Sequence, residues 1–324
     1  DVVNLEEMTS YSNSKKPSSI LDSKTFINEV SEDVAVLKGR VDGLETRQNI
    51  LEAGSFSDTT TLDQKVVFSV GAADFTTPDT TDKNEGVAAQ YSYTMNLNSS
   101  FTGDDNLYIR LKTGNGAGWM AQKDEGGYLS STNTYSDDIK VDKIWYTFPI
   151  GDRQTVWIGP KIENYYMHAT TPSLYSPTLK QFTLGGNAAA YGASTNSGLG
   201  WAYEFDNGFA FSSNVVSKQN KSSTNDGNDG FLTKESSHSW ATQVGYTQER
   251  YSVSAIVNNK YNGWKDEYFS TTSGFARASV SGSPASDSTN IGLRAWLRPE
   301  ESGSVMPSIS VGYDTSDIQY GADT

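Results

Sequence analysis

The chain has 324 residues, no cysteine, two histidines, a formal net charge of −14 at pH 7, and 35% hydrophobic residues with 18 tyrosines. The lack of cysteine excludes disulfides and thiolate metal sites within the chain, and the acidic charge argues against a nucleic-acid partner. Because disordered chains are poor in aromatic residues, this composition favours strands with one wet face, or a repetitive extracellular fibre.

The first two predicted segments are a leader and a coiled coil. Residues 1–22 are polar and aperiodic, which predicts a flexible leader, whereas residues 23–53 carry apolar side chains at the 3-4 spacing of a parallel coiled-coil stalk. Ile/Val at position a with Leu at d leans towards dimers, so the heptads predict an oligomer without demanding a trimer. The oligomerisation residues are Ile27, Val34, Val41 and Gln48 at a, and Val30, Leu37, Leu44 and Leu51 at d.

Residues 54–324 change to a period of two, which predicts eleven short strands between residues 61 and 313. Very short connections, such as Asn207-Gly208, alternate with long polar ones at 114–138, 163–197, 218–236 and 264–288. This sorting is typical of an all-β, transmembrane antiparallel β-barrel of the outer membrane, whose alternating strands need no long apolar run. A closed single-chain barrel has an even number of strands, so we expect C-terminal strands to be missing from this sequence.

One junction resembles a known family. The segment VLKGRVDGLE at 36–45, followed by FSDTTTL at 56–62, resembles the major outer-membrane porins of cyanobacteria, the Som-type, iron-uptake or carbohydrate-selective-porin-like proteins. The resemblance extends loosely through the strands. It implies a homotrimer in the bacterial outer membrane with the coiled coil in the periplasm. It also implies a module that binds cell-wall polysaccharide, but no such segment precedes the helix, so wall binding is not assigned to these residues.

The strand faces opposite the apolar ones are predicted to line a lumen, where charge sets ion selectivity. The alternative is that these side chains have no role in a pore and lie near the rims, where they only solvate the strand ends. The predicted pore-lining residues are Arg110, Lys112, Lys143, Lys260, Arg294 and Arg298, with Glu204 as the main opposing charge, which makes the lumen basic.

The long connection at 163–197 is the candidate for a constriction loop folded into the lumen, with an ordinary extracellular loop as the alternative. Its predicted constriction residues are Tyr165, Tyr166, Tyr175, Lys180 and Phe182. The two histidines, His168 and His238, are isolated, and the acidic run at 226–230 lacks the downstream Glu of an EF-hand. The sequence therefore predicts no catalytic pair, no metal site and no cofactor.

Together these features predict a trimeric outer-membrane porin that passes ions and small hydrophilic solutes by passive diffusion and catalyses no reaction. A trimeric adhesin or phage-fibre-like protein is one rival, and it predicts strands shared between chains. A soluble carbohydrate-binding β-sandwich is the other, and it predicts exposed aromatic rings converging on one groove.

Overall fold

The computed structural model describes residues 30–31, 33–43, 45, 59–72, 86–121, 129–176, 178–179, 188–192, 194–218, 230–233, 236–262, 264, 287–300 and 307–319. The chain divides into two units, Asp1–Asp58 and Thr59–Thr324. In the first unit the described residues between 30 and 45 form helix α1. The predicted leader and four predicted seam residues, Ile27, Leu44, Gln48 and Leu51, lie outside the described residues.

The seam residues that are described lie exposed on α1. Val30, Val34, Leu37 and Val41 each keep roughly half of their surface accessible to solvent, from 43% to 57%. A lone amphipathic helix with an apolar stripe is what a coiled-coil partner would cover. The single chain does not test that partner, so the coiled coil stays a prediction.

The second unit is built on one antiparallel sheet. Eleven strands among the described residues follow one another in chain order, and each pairs antiparallel with the next. The strands are β1 Thr60–Gly71, β2 Ala88–Ser99, β3 Asn106–Gly114, β4 Lys140–Ile150, β5 Gln154–Ile162, β6 Asn196–Glu204, β7 Phe209–Ser217, β8 His238–Thr247, β9 Tyr251–Tyr261, β10 Asp287–Leu297 and β11 Ile309–Gln319. The eleven strands that the sequence predicts are all present among the described residues. Among the described residues no ladder joins β1 to β11, so the sheet is not closed.

The connections are sorted by length between the two rims of the sheet. Because successive strands alternate in direction, every second connection lies at the same rim. One rim carries the shorter connections 100–105, 151–153, 205–208, 248–250 and 298–308, and the other carries 72–87, 115–139, 163–195, 218–237 and 262–286. We call these the short-turn rim and the long-loop rim. The chain enters β1 at the short-turn rim.

Local sequence explains why the short turns form. At 205–208, Gly208 adopts a φ of 93°, where a Cβ would stand 2.5 Å from the Thr247 carbonyl oxygen, so the turn requires glycine. At 100–105 the Asp105 carboxylate accepts hydrogen bonds from the Phe101 and Thr102 amides at 2.9 and 2.7 Å. It also accepts one from the Tyr146 hydroxyl, and this bond is the main reason why the pKa of Asp105 lies well below its ordinary value.

The two faces of the sheet are inverted relative to a water-soluble protein. On β9, Tyr251, Val253 and Val257 are exposed, whereas Ser252 and Asn258 are buried. We call the face with buried polar side chains the inner face and the opposite one the outer face. Neighbouring strands repeat this alternation. Exposed apolar residues on the outer face include Leu199, Trp240, Val244, Ile291, Leu293 and Val311.

The outer face carries an aromatic belt along the short-turn rim. Ring pairs lie close enough for contact on β4, on β6 and β7, and between β7, β8 and β9, with centroids 4.6–6.4 Å apart. At this rim the rings form an extended band. Its members are Tyr146, Phe148, Trp201, Tyr203, Phe205, Phe209, Phe211, Tyr246 and Tyr251.

No helix among the described residues is long and apolar enough to cross a membrane.

Candidate functional site

The connection 163–195 packs against the inner face and is the core of the candidate site. A 3-10 turn, Asn164–Met167, begins it, and the Asn164 side-chain amide donates to Asn214 Oδ1 at 2.8 Å and to the Ser239 carbonyl at 3.0 Å. Gln243 then accepts from the Thr170 amide at 2.9 Å and donates to the Thr170 carbonyl at 3.0 Å. Gln243 thus satisfies backbone groups of the connection, and Asn164 of the connection satisfies a backbone carbonyl of β8, as burial of polar groups requires.

Further along, the connection reaches β10 and β11. Trp296 Nε1 donates to the Thr171 carbonyl at 3.1 Å, and the Leu174 amide donates to Ser310 Oγ at 3.1 Å. The Tyr175 hydroxyl donates to the Ser308 carbonyl, just before β11. These bonds tie the described part of the connection to β7, β8, β10 and β11.

The same connection also links the two ends of the sheet. The Thr178 carbonyl, three residues after Tyr175, accepts from the Ser130 amide at 2.7 Å. Ser130 belongs to the connection 115–139, in which Thr132 Oγ1 accepts a hydrogen bond from the side-chain amide Nε2 of Gln90 on β2 at 2.8 Å. Because a span of three residues is at most about 11 Å, β11 and the connection bonded to β2 lie on either side of this stretch. The sheet is therefore curved around the connection.

Glycines on the inner face allow this close packing. A Cβ on Gly245 would stand 2.0 Å from Thr170 Oγ1, and one on Gly200 would stand 2.7 Å from Met167 Sδ. Both distances are shorter than any van der Waals contact, so these strands accept the connection only because the side chain is absent.

A short helix, α2 (Ala188–Tyr191), completes the inner layer beside β9, β10 and β11. The Tyr191 hydroxyl lies 3.4 Å from Ser254 Oγ, and the Arg294 guanidinium lies 4.8 Å from the centre of the Tyr191 ring. Arg294 also pairs with Asp314 at 2.9 Å, with side-chain exposures of 1% and 8%. This charge pair is held between β10 and β11 under α2.

A second buried ion pair joins β4 to the start of the connection. Lys143 Nζ lies 2.5 Å from Glu163 Oε1, and the two side chains are 1% and 0% exposed. Thr195 Oγ1, at the other end of the connection, donates to the same carboxylate oxygen at 2.5 Å. This cluster therefore fixes both ends of the connection to the inner face.

A third charge cluster, around Arg110 on β3, remains partly accessible to solvent. Asp142 pairs with Arg110 and lies 4.0 Å from Lys112, and Tyr135 Oη donates to it at 2.9 Å. The side chains of Arg110, Lys112 and Asp142 are 13%, 24% and 11% exposed. A β-bulge opposite Arg110 and Leu111 places Asp142 on the inner face together with its neighbour Lys143.

An aromatic stack stands beside this cluster. Tyr108 and Trp145 have ring centroids 4.2 Å apart, Trp145 and Tyr166 4.8 Å, and Tyr165 and Tyr166 4.1 Å. Arg110 Nη1 donates to the Tyr166 hydroxyl at 2.8 Å. The stack therefore ties the connection to β3 and β4.

His168, in the connection, takes part in packing and hydrogen bonding. Its Nδ1 lies 3.0 Å from Asn214 Nδ2, and its ring meets Tyr191 edge-on. Burial lowers the pKa of His168 to about 4, so the ring is neutral at pH 7 and accepts the Asn214 hydrogen bond at Nδ1. No group of three or more His, Asp or Glu side chains in the described part of the chain is arranged to hold a metal ion.

The predicted pore-lining residues fall into three environments. Arg110 and Lys112 are partly accessible, while Lys143, Lys260 and Arg294 are buried on the inner face. Arg298 and Glu204 are exposed at strand ends of the short-turn rim, with the Arg298 guanidinium 5.9 Å from the Trp296 ring centre.

The structure adds acidic partners to the predicted set of charges on this face. Besides Glu204, which the sequence predicts as the main opposing charge, Asp142, Glu163 and Asp314 pair directly with the inner-face cations. Sequence parity missed Asp142 because the bulge shifts the alternation by one residue. Glu163 lies beyond the end of β5 and Asp314 was not assigned a face, so neither was included.

Three of the predicted constriction residues are described. Tyr165 and Tyr166 belong to the inner aromatic stack, and Tyr175 bonds to Ser308 while remaining 51% exposed. Lys180 and Phe182 lie outside the described residues.

Known proteins resemble this chain only in part. No protein-family model matches it. An uncharacterized protein of Nostoc sp. strain PCC 7120 is 31% identical over 171 residues, covering 50% of this chain and 28% of the relative. An uncharacterized protein of Synechocystis sp. strain PCC 6803 is 29% identical over 168 residues, covering 50% of this chain and 30% of the relative. The chain thus spans less than a third of the length of these relatives.

Among solved structures, the chain is similar to OmpTdeltaL8, a loop L8 deletion mutant of OmpT, an outer membrane protein of Vibrio cholerae. The TM-score is 0.42 and the sequence identity 12%, over 81% of this chain and 71% of that one.

Proposed function

We propose that this chain forms a wall of an outer-membrane β-barrel through which ions and small hydrophilic solutes diffuse passively. The observation that carries the proposal is the inversion of the two faces. Val253 and Leu293 expose 56% and 49% of their surface on the outer face, whereas Asn258 and Ser212 on the inner face expose none. In water this arrangement would leave apolar side chains exposed, without the stabilisation that their burial gives, but in a bilayer the same side chains contact lipid hydrocarbon.

Two further features support a membrane setting. The sorting of short and long connections between opposite rims is the pattern of outer-membrane barrels, whose short turns face the periplasm. The aromatic belt at the short-turn rim has the composition expected where strands leave the hydrocarbon for the headgroup region. Together they orient the proposed barrel with the short-turn rim, where the chain enters β1, on the periplasmic side.

The inner face supports a pore with a partly filled interior. Connection 163–195 would narrow the channel from within, as the sequence predicts for a constriction loop. Solutes would be selected by size and charge, and no reaction would be catalysed. We extend the proposal to a homotrimer held by a periplasmic coiled coil of α1, which rests on the heptads and on the resemblance to cyanobacterial porins.

The rival functions fit the sheet less well. A trimeric adhesin or fibre would share strands between chains, but here each described strand pairs with its neighbours in the same chain. A carbohydrate-binding sandwich needs two packed sheets, whereas the eleven described strands form a single sheet.

The test is reconstitution of the full-length protein in planar lipid bilayers. We expect stepwise, ohmic conductance, extraction from cells only with detergent, and a folded band whose gel mobility changes on heating. Protein that is soluble without detergent, or that inserts without conducting, would refute the channel. Sedimentation in detergent tests the trimer separately: Leu37→Glu on α1 should lower the oligomer mass while the heat-modifiable fold persists.

A further inference from the structure

The inner face is sealed on one side of the sheet and accessible on the other. Beneath the connection and α2, Ser212, Ser239, Gln243 and Asn258 on β7, β8 and β9 expose at most 1% of their surface. On β2, by contrast, the inner-face side chains Thr94, Asn96 and Asn98 are only partly buried. The space within the curved sheet is therefore not divided evenly between its walls.

This contrast is not an effect of the open edges. Strands β2 and β10 each lie one strand inward from an edge of the sheet. Nevertheless Asn290 and Arg294 on β10 are 3% and 2% exposed, whereas the β2 residues are partly open. The connection covers the inner face of β10, whereas on β2 the burial is confined to Gln90 and Ser92, each 8% exposed, at the end of the strand near the long-loop rim.

The charges divide in the same way. The Lys143–Glu163 and Arg294–Asp314 pairs are sealed and each is electrically neutral as a pair. Arg110, Lys112 and Asp142 keep 11–24% of their side chains in contact with solvent. A charge that a passing ion can approach within a few Å acts on it strongly, whereas a closed pair presents only a weak dipolar field.

Side-chain hydrogen bonds hold the accessible wall in place across β1 to β3. Asn96 Nδ2 donates to Asp63 Oδ2 at 3.2 Å, and Tyr108 Oη donates to Asn96 Oδ1 at 2.7 Å. Asp63 and Lys65 of β1 are exposed on the same inner face. This wall thus presents fixed polar groups and charges of both signs to water.

We propose that the conducting path is off-centre and runs along the inner face of β1–β3 and past Asp142 of β4, where the accessible charges set ion selectivity. This deepens the proposed function and rests on it. The selectivity residues are Asp63, Lys65, Arg110, Lys112 and Asp142. Three cations face two carboxylates, so the wall gives a weak preference for anions. The two buried ion pairs, Lys143–Glu163 and Arg294–Asp314, anchor the connection and contribute little to ion selectivity.

The absence of cysteine from the chain allows a direct test by thiol accessibility. Thr94→Cys on β2 and Ser254→Cys on β9 are matched inner-face substitutions, the second at a side chain only 4% exposed. We expect a small cationic methanethiosulfonate to modify Thr94→Cys in the folded full-length protein at least about tenfold faster than Ser254→Cys, and to change its conductance. After unfolding, both thiols should react alike.

Equal reactivity of the two folded variants, or faster reaction at position 254, would overturn the off-centre path. A selectivity measurement adds a second arm: Lys112→Gln should move the reversal potential in a KCl gradient towards cation preference. Lys161→Gln, the same charge change at an exposed end of β5, should leave it unchanged. An unchanged potential for Lys112→Gln would contradict the assignment of the filter.

Failure of the proposed function gives a different result. If the wild-type protein does not conduct at all, the channel is refuted. Thiol labelling in detergent needs no current, so it still decides which wall of the interior water reaches.

Discussion

The substitution Leu293→Arg separates a lipid-facing outer surface from a water-facing one. Leu293 lies near the middle of β10, between Ala255 of β9 and Tyr313 of β11, and exposes 49% of its surface. If this surface faced water, the long aliphatic stem of Arg would keep much of the contact with its neighbours and extend its charge into solvent. The free energy of unfolding would then change by only about 0.5 kcal/mol.

In a bilayer the same substitution carries a much larger cost. An Arg on the lipid face of an outer-membrane barrel costs about 2–4 kcal/mol at the bilayer midplane, and about 0–1 kcal/mol near the interface. Because every 1.4 kcal/mol is tenfold, Leu293→Arg should lower the folding equilibrium constant by about 30- to 700-fold. The matched control is Leu297→Arg, on the same face at the end of β10 beside Tyr251 of the aromatic belt, where the small cost applies.

The assay is equilibrium folding into phospholipid vesicles as a function of guanidinium concentration, followed by tryptophan fluorescence and heat-modifiable gel mobility. The difference between the two variants carries the result, because both introduce the same residue on one face of one strand. Changes below about 1 kcal/mol for both would refute a lipid-facing outer surface. A larger loss for Leu297→Arg than for Leu293→Arg would refute the proposed depth of the strand.

Three further predictions concern the inner layer. Glu163→Gln leaves the buried ammonium of Lys143 without its counter-charge and should lower the free energy of unfolding by about 3–5 kcal/mol. Asp206→Asn, in an exposed ion pair, should lower it by at most about 1 kcal/mol. Equal losses for the two variants would contradict the sealed pair. Because the pKa of His168 is about 4 when folded and 6.5 when exposed, the unfolded chain binds the proton more readily. The contribution of the neutral His168 ring to the free energy of unfolding should therefore be complete above pH 6.5 and be lost as the pH falls towards 4. Denaturant titrations at pH 7 and pH 5 should show this loss in the wild type and not in His168→Gln. Gly245→Ala should lower the free energy of unfolding by about 1–3 kcal/mol, because the added methyl group would press against Thr170 of the connection. Thr170→Gly in the same chain should recover part of that loss. Additive effects in the double-mutant cycle would show that the two residues do not touch.

The strands themselves could be predicted because their evidence is local. Alternation such as Tyr251, Val253 and Val257 against Ser252 and Asn258 needs only a period of two, and turn residues such as Gly208 mark where each strand ends. The order of the strands followed because short connections force neighbours in sequence to pair. The face that carries Lys143 and Arg294 was predicted by the same parity.

The partners of those charges could not be predicted in this way. Asp142 reaches the inner face through a bulge, and a one-residue shift reverses the side of a strand on which a residue lies. Glu163 pairs with Lys143 across 20 residues, and Asp314 with Arg294 across 20. No periodic pattern connects such residues, so the inner face that parity alone made basic contains neutralised pairs.

By itself, the sequence determined the period, the number and order of the strands and the sorting of the connections, because each depends on residues within a few positions of one another. It also determined the apolar heptads of α1. Only the tertiary structure decided which part of the inner face the connection 163–195 covers, and hence which charges meet water. Which part is covered depends on contacts between residues that are far apart in the sequence. Gly200 and Gly245, which carry no side chain, leave room for Met167 and Thr170. In the proposed pore, a buried lysine such as Lys143 anchors the connection, whereas an accessible one such as Lys112 contributes to ion selectivity.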